Sequence, residues 1–352
     1  MVERKSKIRV AVMMGGLSSE RGVSLSTGKQ ILEALDANKY ETVGVDAALI
    51  PGTRRQCLQG ASTEVKAVAD AGAALCGANK LTSMQEIASE KSGLRPDVVF
   101  LALHGRFGED GTVQGFLDLL GVPYTGSGVL ASALAMDKSM AKKVLSGDGV
   151  PVPPSVDFCC INGKWDEAGV ASEVEKMGYP VMVKPSRQGS TIGMTKVISP
   201  DELNNAISRA AGYDTSIVIE KFIEGREFTV GVLGNDKPFA LPVVEIVPAK
   251  GFYDYEAKYT PGATEEIVPA KISDDATARA QELALMAHKS LGCRGVSRTD
   301  IIIGADGMYA LEVNTIPGMT PTSLLPQAAA AAGIPFGKLL DMLIEYALED
   351  YE

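Results

Sequence analysis

Lys184 stands at the end of an apolar run, Val181-Met-Val, and a small polar loop follows it: Pro185-Ser-Arg-Gln-Gly-Ser-Thr-Ile-Gly193. Small residues let backbone N–H groups approach phosphate oxygens, and the Ser190 and Thr191 hydroxyls add donors. This is not a Walker A loop, because GxxxxGK[ST] is absent. An ordinary surface hairpin uses the same residue types, so the loop alone does not decide. The second group is Arg298-Thr-Asp300 followed by Glu312-Val-Asn314. Glu312 and Asn314 are i, i+2 and share one strand face. A short turn with a bulge brings Asp300 opposite Glu312 on that face. Two carboxylates and an amide are hard oxygen donors. They fit Mg²⁺ that keeps its other positions for water and nucleotide phosphates. A solvated hairpin face is the alternative, but the apolar residues 301–303 and 309–311 make this hairpin largely buried.

Four further places carry polar side chains near sharp turns. Residues 247–270 read as one long loop holding Phe252, Tyr253, Tyr255, Lys258 and Tyr259. Loops beyond ~12–15 residues in compact domains are functional lids or disordered, and the aromatics argue for a lid that excludes water. Residues 314–324 run from the carboxylate pair into a helix start, where free N–H groups at Ser323 and Leu324 suit a carboxylate; plain N-capping by Thr320, Thr322 or Ser323 suits the same residues. Gly15-Gly-Leu-Ser-Ser-Glu-Arg-Gly follows the first strand without a GxGxxG fingerprint, and Glu20 there suits either an ammonium group or the charge of a helix start. His104 ends a buried strand, where open α/β sheets bind ligands. His288 lies in a helix and reads as a packing or surface residue.

These side chains need rigid elements beneath them. Residues 8–14 are apolar except Arg9 and end in Gly-Gly, the pattern of a strand buried on both faces. Residues 24–35 and 112–120 read as helices, and 42–47 and 97–103 as strands. Alternation of strand and helix predicts an α/β unit over roughly residues 1–125. Residues 51–92 are poor in large apolar side chains and read as variable surface structure. After Pro151-Val-Pro-Pro154, strands are expected at 179–185, 193–198, 216–222, 227–233 and 240–246. A helix with a capping box starts at Ser199-Pro-Asp-Glu202. A long helix over 276–291 stops at Gly292, and strands 295–303 and 308–313 flank Gly304-Ala-Asp-Gly307.

The 352 residues leave room for two or three domains of roughly 100–200 residues each. A net charge of −10 argues against sequence-independent nucleic-acid binding, which needs a basic footprint. Five cysteines without CxxC spacing read as reduced thiols, with Cys159 and Cys160 buried. The N-terminal apolar run is too short for a signal h-region, and no stretch reaches the ~18–20 apolar residues of a membrane span. The expectation is a soluble cytoplasmic protein.

Taken in order, these motifs resemble the D-alanine–D-alanine ligases of the ATP-grasp superfamily. The match runs through residues 15–24, His104-Gly-Arg-Phe-Gly-Glu-Asp-Gly111, Met136-Asp-Lys138, Lys184-Pro-Ser186 with Gly189-Ser-Thr-Ile-Gly193, Glu220-Lys221, Glu227-Phe-Thr-Val230, residues 253–259 and Glu312-Val-Asn-Thr-Ile-Pro-Gly-Met-Thr320. The resemblance implies an α/β ATP-grasp fold of three domains: a parallel-sheet N-terminal domain over 1–126, a central one over 127–223, and a C-terminal one over 224–352 with the lid at 247–270. It implies ATP and two Mg²⁺ (or Mn²⁺), two D-alanine substrates, a homodimer, and a role in peptidoglycan precursor synthesis. By the same resemblance Lys138 and Lys184 contact phosphates, and Ser190 and Thr191 close on them. Glu220, Lys221 and Ile223 line the adenine site, Glu227 holds the ribose, and Phe252 contacts the nucleotide. Asp300, Glu312 and Asn314 hold the metals. Glu20 grips the ammonium of the first D-alanine beside His104, and Tyr259 joins Glu20 and Ser190 in one network. Lys258 reaches the transferring phosphate, Arg298 and the Gly318 N–H stabilise an oxyanion, and Ser323 and Leu324 take the second carboxylate. Two positions depart from the family pattern: Gly22 where many members carry Glu, and Thr191 where many carry Ser. The rival readings are a D-alanine–D-serine or D-alanine–D-lactate ligase, another ATP-grasp carboxylate–amine ligase, and a nucleotide-binding regulator without catalysis.

Overall fold

The computed structural model describes residues 7–18, 20–48, 82–83, 95–248 and 264–349. Of the stretch 51–92, all but 82–83 lies outside the described residues. Three sheets organise the rest. The first holds β1 (Ile8–Met14), β2 (Tyr40–Asp46), β3 (Thr82–Ser83) and β4 (Val98–Leu101), in the order β3-β2-β1-β4 and all parallel. Helices α1 (Arg21–Ala34) and α2 (Thr112–Leu120) belong to it, and α3 (Val129–Met136) and α4 (Lys138–Gly147) lead out of it. The second sheet is antiparallel, ordered β5-β8-β6-β7 from β5 (Ser155–Cys159), β6 (Val181–Pro185), β7 (Thr195–Val197) and β8 (Ser216–Lys221). Its helices are α5 (Glu167–Met177) and α6 (Pro200–Ala211).

The third sheet holds β9 (Gly225–Leu233), β10 (Phe239–Ala240), β11 (Val244–Pro248), β12 (Thr264–Ile267), β13 (Val296–Gly304) and β14 (Gly307–Asn314). Its order is β12-β11-β9-β13-β14, with β10 on β9. Helix α7 (Asp274–Ser290) backs this sheet, burying Leu283, Ala284 and Ala287 against Phe228, Val230 and Ile301. Helices α8 (Leu324–Ala331) and α9 (Phe336–Glu349) cross back to the first sheet.

β1 shows why the first sheet forms. Val10 to Met14 are all 0% exposed. Val10, Val12 and Met14 enter one core with α1, α8 and α9, while Ala11 and Met13 enter another with Val113, Leu117 and Tyr124. Such a strand can only be central, since both faces must be covered. Polar contacts pin the C-terminal helix to this unit: Asp341 accepts from the Tyr40 hydroxyl at 2.9 Å and from Lys39 Nζ at 2.6 Å.

Several sequence expectations need correction. The strand expected over 240–246 is two strands, because Pro242 cannot donate to a ladder; the chain steps out at Leu241 and returns at Val244. The loop expected over 247–270 is shorter, since its described ends pair as β11 and β12. The strand expected over 97–103 ends at Leu101, so His104 lies three residues past it. No capping box forms at Ser199: its side chain makes no cap bond, and Glu202 Oε2 accepts from the Ile198 N–H at 2.9 Å. Cys159 is exposed at the end of edge strand β5, and only Cys160 is buried. Among the described residues no helix is long and apolar enough to cross a membrane.

His288 is a packing residue. It is 1% exposed, and its Nδ1 lies 2.7 Å from Ser297 Oγ. Burial, and then the Lys289 charge, push it down to about 4 from its ordinary 6.5. Between those values the unfolded chain binds the extra proton, so stability is full above pH 6.5 and falls as pH drops toward 4. We expect the wild type to lose about 2 kcal/mol more than His288→Asn between pH 7 and pH 4.5. Urea unfolding of both at the two pH values measures the difference; equal losses would remove His288 from the account.

Candidate active site

A cavity of about 640 Å³ lies between the first sheet and the third, lined by Glu20, His104, Ser190, Arg298, Asn314, Gly318, Ser323 and Leu324. A narrower one of about 100 Å³ lies between the second and third sheets, lined by Lys184, Thr191, Glu220, Lys221, Ile223, Glu227 and Asp300. Lys138 and Glu312 line both, so the two cavities meet there. All the described residues given a site role from the sequence thus fall on one cleft. Phe252, Lys258 and Tyr259 lie outside the described residues.

The β13–β14 hairpin builds the floor. Its register runs Ile301↔Ala310, then shifts by one so that Asp300 faces Glu312 and Arg298 faces Asn314. Like charges directly across a ladder repel, and the surroundings answer this. Arg298 holds Asp300 with both arms, Nε to Oδ1 at 2.9 Å and Nη2 to Oδ2 at 3.0 Å. Thr229 Oγ1, on neighbouring β9, donates to Asp300 Oδ1 at 2.6 Å. Lys138 Nζ lies 3.5 Å from Glu312. The donor set of Asp300, Glu312 and Asn314 fits a hard divalent cation. Among the described residues no trio of His, Cys, Asp and Glu competes for that role.

The wall of the narrow cavity carries ammonium groups. The start of α4 is fixed by Asp137, whose Oδ1 accepts from the Met140 N–H at 3.2 Å and from Ser186 Oγ at 2.7 Å. Ser186 Oγ in turn accepts from the Ser139 N–H at 3.0 Å. This ties α4 to the loop after β6, and Lys138 Nζ reaches the Gln188 carbonyl at 2.7 Å. One turn later Lys142 Nζ lies 2.7 Å from Glu220 Oε2, while Lys184 Nζ pairs with Glu220 Oε1. Burial alone would raise the Glu220 carboxyl; the charges of Lys142 and Lys184 overcome it and hold the group at about 2. The sequence reading missed Lys142. Its i, i+4 spacing from Lys138 was the available signal.

The loop that follows is unusual in its backbone. Ser190 has φ +51 and Thr191 φ +63, left-handed values that a β-branched residue rarely adopts. Ser190 Oγ donates to Glu20 Oε1, closing the loop onto the start of α1. Glu20 occupies the N-cap position of α1, yet its side chain makes no cap bond. Glu20 thus stands at the positive end of the helix, as simple charge compensation expects, while its hydrogen bond goes to Ser190. Next to it His104 is buried, with Nε2 3.5 Å from Thr27 Oγ1. Desolvation holds the imidazole below its ordinary range, so it is neutral. Glu109, a second missed residue, accepts the Gly105 N–H at 2.5 Å. Burial, and then the Glu20 charge, push its carboxyl up to about 8. It lay within the His104-to-Gly111 motif but received no role there.

At the far end, Ser323 is the N-cap residue of α8, and its side chain does not cap the helix. Its Oγ accepts the Thr320 N–H at 3.1 Å and stands 2.8 Å from Thr320 Oγ1. The first N–H groups of α8, from Leu324 on, are left facing the large cavity without that cap.

The family model described as "D-ala D-ala ligase N-terminus" matches residues 9–127, and "D-ala D-ala ligase C-terminus" matches 144–345. A D-alanine–D-alanine ligase of Syntrophobacter fumaroxidans is 44% identical over 98% of this chain and 99% of its own length. One from Pelotomaculum thermopropionicum is 43% identical over 97% and 98%. Among solved structures, the VanG D-Ala:D-Ser ligase of Enterococcus faecalis superposes with a TM-score of 0.80 at 35% identity, covering 97% of this chain and 100% of that one. The Bacillus anthracis D-alanine–D-alanine ligase complexed with ATP gives 0.76 at 33% identity, covering 99% of both. With two family models side by side and full-length relatives above 40% identity, this chain belongs to the D-alanine–D-alanine ligase family of ATP-grasp enzymes.

Proposed function

We propose that the chain joins two D-alanine molecules into D-alanyl-D-alanine for peptidoglycan synthesis, cleaving ATP to ADP and phosphate. The observation that carries this reading is the meeting of the two cavities at Lys138 and Glu312. A nucleotide in the narrow cavity then presents its phosphates to an amino acid in the wide one. Lys138 and Lys184 hold the phosphates, and the loop of Ser190 and Thr191 closes on them. Glu220, Lys221 and Ile223 face the adenine, Glu227 the ribose, and Phe252 and Lys258 approach from the lid within 247–270. Three units at 1–126, 127–223 and 224–352 follow the three sheets. A cytoplasmic homodimer joined through the first unit completes the reading, on the strength of the family resemblance.

Glu20 holds the ammonium of the first D-alanine, with neutral His104 beside it. The carboxylate of that D-alanine attacks the terminal phosphate of ATP and displaces ADP, and positioning supplies most of the rate because there is little covalent work for side chains. Asp300, Glu312 and Asn314 hold the two Mg²⁺ (or Mn²⁺) ions, which neutralise charge on the transferring group. The amine of the second D-alanine then attacks the acyl phosphate. Arg298 and the Gly318 N–H stabilise the oxyanion, which collapses and expels phosphate. Ser323 and the Leu324 N–H orient the second carboxylate, and Tyr259 closes the lid over Glu20 and Ser190.

A coupled phosphate-release assay with D-alanine, D-serine or D-lactate, backed by mass spectrometry, tests the reading. We expect release with D-alanine and formation of the dipeptide. Release with ATP alone, or a product joined to D-serine at equal rate, would overturn it.

Two variants test the assigned sides of the cleft. Glu20→Gln removes the charge opposite the ammonium, and charged hydrogen bonds contribute about 1.5–3 kcal/mol. Its KM for the first D-alanine should rise roughly ten- to a hundredfold, with the KM for ATP within about twofold. An equal loss of ATP affinity contradicts the assignment. Glu312→Ala should lower turnover in Mg²⁺ by at least about a hundredfold. Its melting temperature without metal should not fall, because the change removes one of two facing carboxylates. Near-normal turnover would remove Glu312 from the metal site.

A further inference from the structure

Glu220 is one buried carboxylate with two ammonium partners, one on each oxygen. Lys184 takes Oε1 and Lys142 takes Oε2. All three side chains are under a tenth exposed. The two lysines differ in position. Lys184 and Glu220 line the narrow cavity, whereas Lys142 lines neither cavity. Lys142 comes from α4, on the turn after Lys138, and Glu220 from β8.

A buried carboxylate cannot stand without a counter-charge. In the structure Lys184 serves Glu220, yet a phosphate in the narrow cavity needs the same ammonium group. Resting on the reading of that cavity as the nucleotide site, we propose that Lys142 is a positioning residue: it keeps Glu220 compensated and aimed, so that Lys184 can exchange its carboxylate for phosphate. Without Lys142, Glu220 holds Lys184 back and competes with the nucleotide for it. The role acts through Glu220; Lys142 itself does not touch ATP.

A double-mutant cycle on the full-length protein tests this. The variants are Lys142→Met, Lys142→Arg, Glu220→Gln and the pair Lys142→Met/Glu220→Gln. Each is titrated with a Mg²⁺-bound β,γ-imido analogue of ATP, and KM and kcat are measured with ATP and D-alanine. In the natural background Lys142→Met should weaken analogue binding and raise the KM for ATP at least about tenfold, with the D-alanine KM unmoved. Lys142→Arg should restore most of the affinity. In the Glu220→Gln background, where no buried carboxylate remains to hold Lys184 back, Lys142→Met should change affinity by no more than about twofold. The pair carries no orphaned carboxylate, so this comparison stands even if Lys142→Met alone does not fold. The same factor in both backgrounds would overturn the proposal, because Lys142 would then act independently of Glu220. Failure of the natural protein to bind the analogue at all would instead overturn the reading of the cavity.

Discussion

The register of the β13–β14 hairpin decides whether the cleft has a floor. From the turn inward the pairs are Gly304↔Gly307, Ile303↔Met308, Ile302↔Tyr309 and Ile301↔Ala310. Leu311 is then the extra residue, and Asp300 meets Glu312. Without the bulge Asp300 would face Leu311, and Glu312 would point to the opposite face, because side chains alternate with period two. Arg298 would lose Asn314 in the same slip. Arg298 and Thr229 hold Asp300 from β13 and β9 whatever the register of β14, so what the one-residue shift decides is that Glu312 joins Asp300 on their face, within 3.5 Å of Lys138.

The facing wall depends on a different constraint. Ser190 and Thr191 both hold left-handed backbone angles, which for non-glycine residues cost about 1–3 kcal/mol each. Glycine would relieve this, but it would remove the hydroxyls. The loop compensates with a turn bond from the Ile192 N–H to the Gly189 carbonyl at 3.2 Å and with the Ser190–Glu20 contact. The loop conformation and the Glu20 carboxylate are therefore held by one another, 170 residues apart in the chain.

Much of this was legible because it is local. The bulged hairpin follows from two glycines at the turn and from two carboxylates whose distances from it differ by one residue. The central position of β1 follows from an apolar run that no exposed strand would carry. What escaped depended on long-range placement. The spacing of Lys142 from Lys138 puts the two on one helix face, but its partner Glu220 is fixed only once α4 lies against β8. Thr229 was quoted within a motif, but its bond to Asp300 spans two strands 71 residues apart. Pro242 was visible, yet the apolar pattern around it outweighed its missing donor.

Helix α1 shows how local rules yield where the site needs them to. Glu20 sits where a side chain normally caps a helix, and it turns away to Ser190 instead. The helix start is secured by its next residue. Arg21 grips Asp46 with Nη1 at 2.8 Å and Nη2 at 2.6 Å, and its Nη1 also donates to the Gly16 carbonyl at 3.1 Å. Asp46 ends β2, so this buried pair fixes the turn after β1 to the neighbouring strand. Gly15 is required there on two counts: its φ is +78, and a Cβ would lie 2.3 Å from Asp46 Oδ1. A rigid ion pair one residue along anchors the helix start in place of a side-chain cap, and the Glu20 carboxylate is left to face the cavity. The same displacement occurs at Ser323, which gives up its cap to Thr320 and leaves the start of α8 open. Both ends of the wide cavity are therefore helix starts whose expected side-chain caps are missing, one carrying a carboxylate turned away from its helix and the other an uncapped N-terminus of the kind that suits an anion.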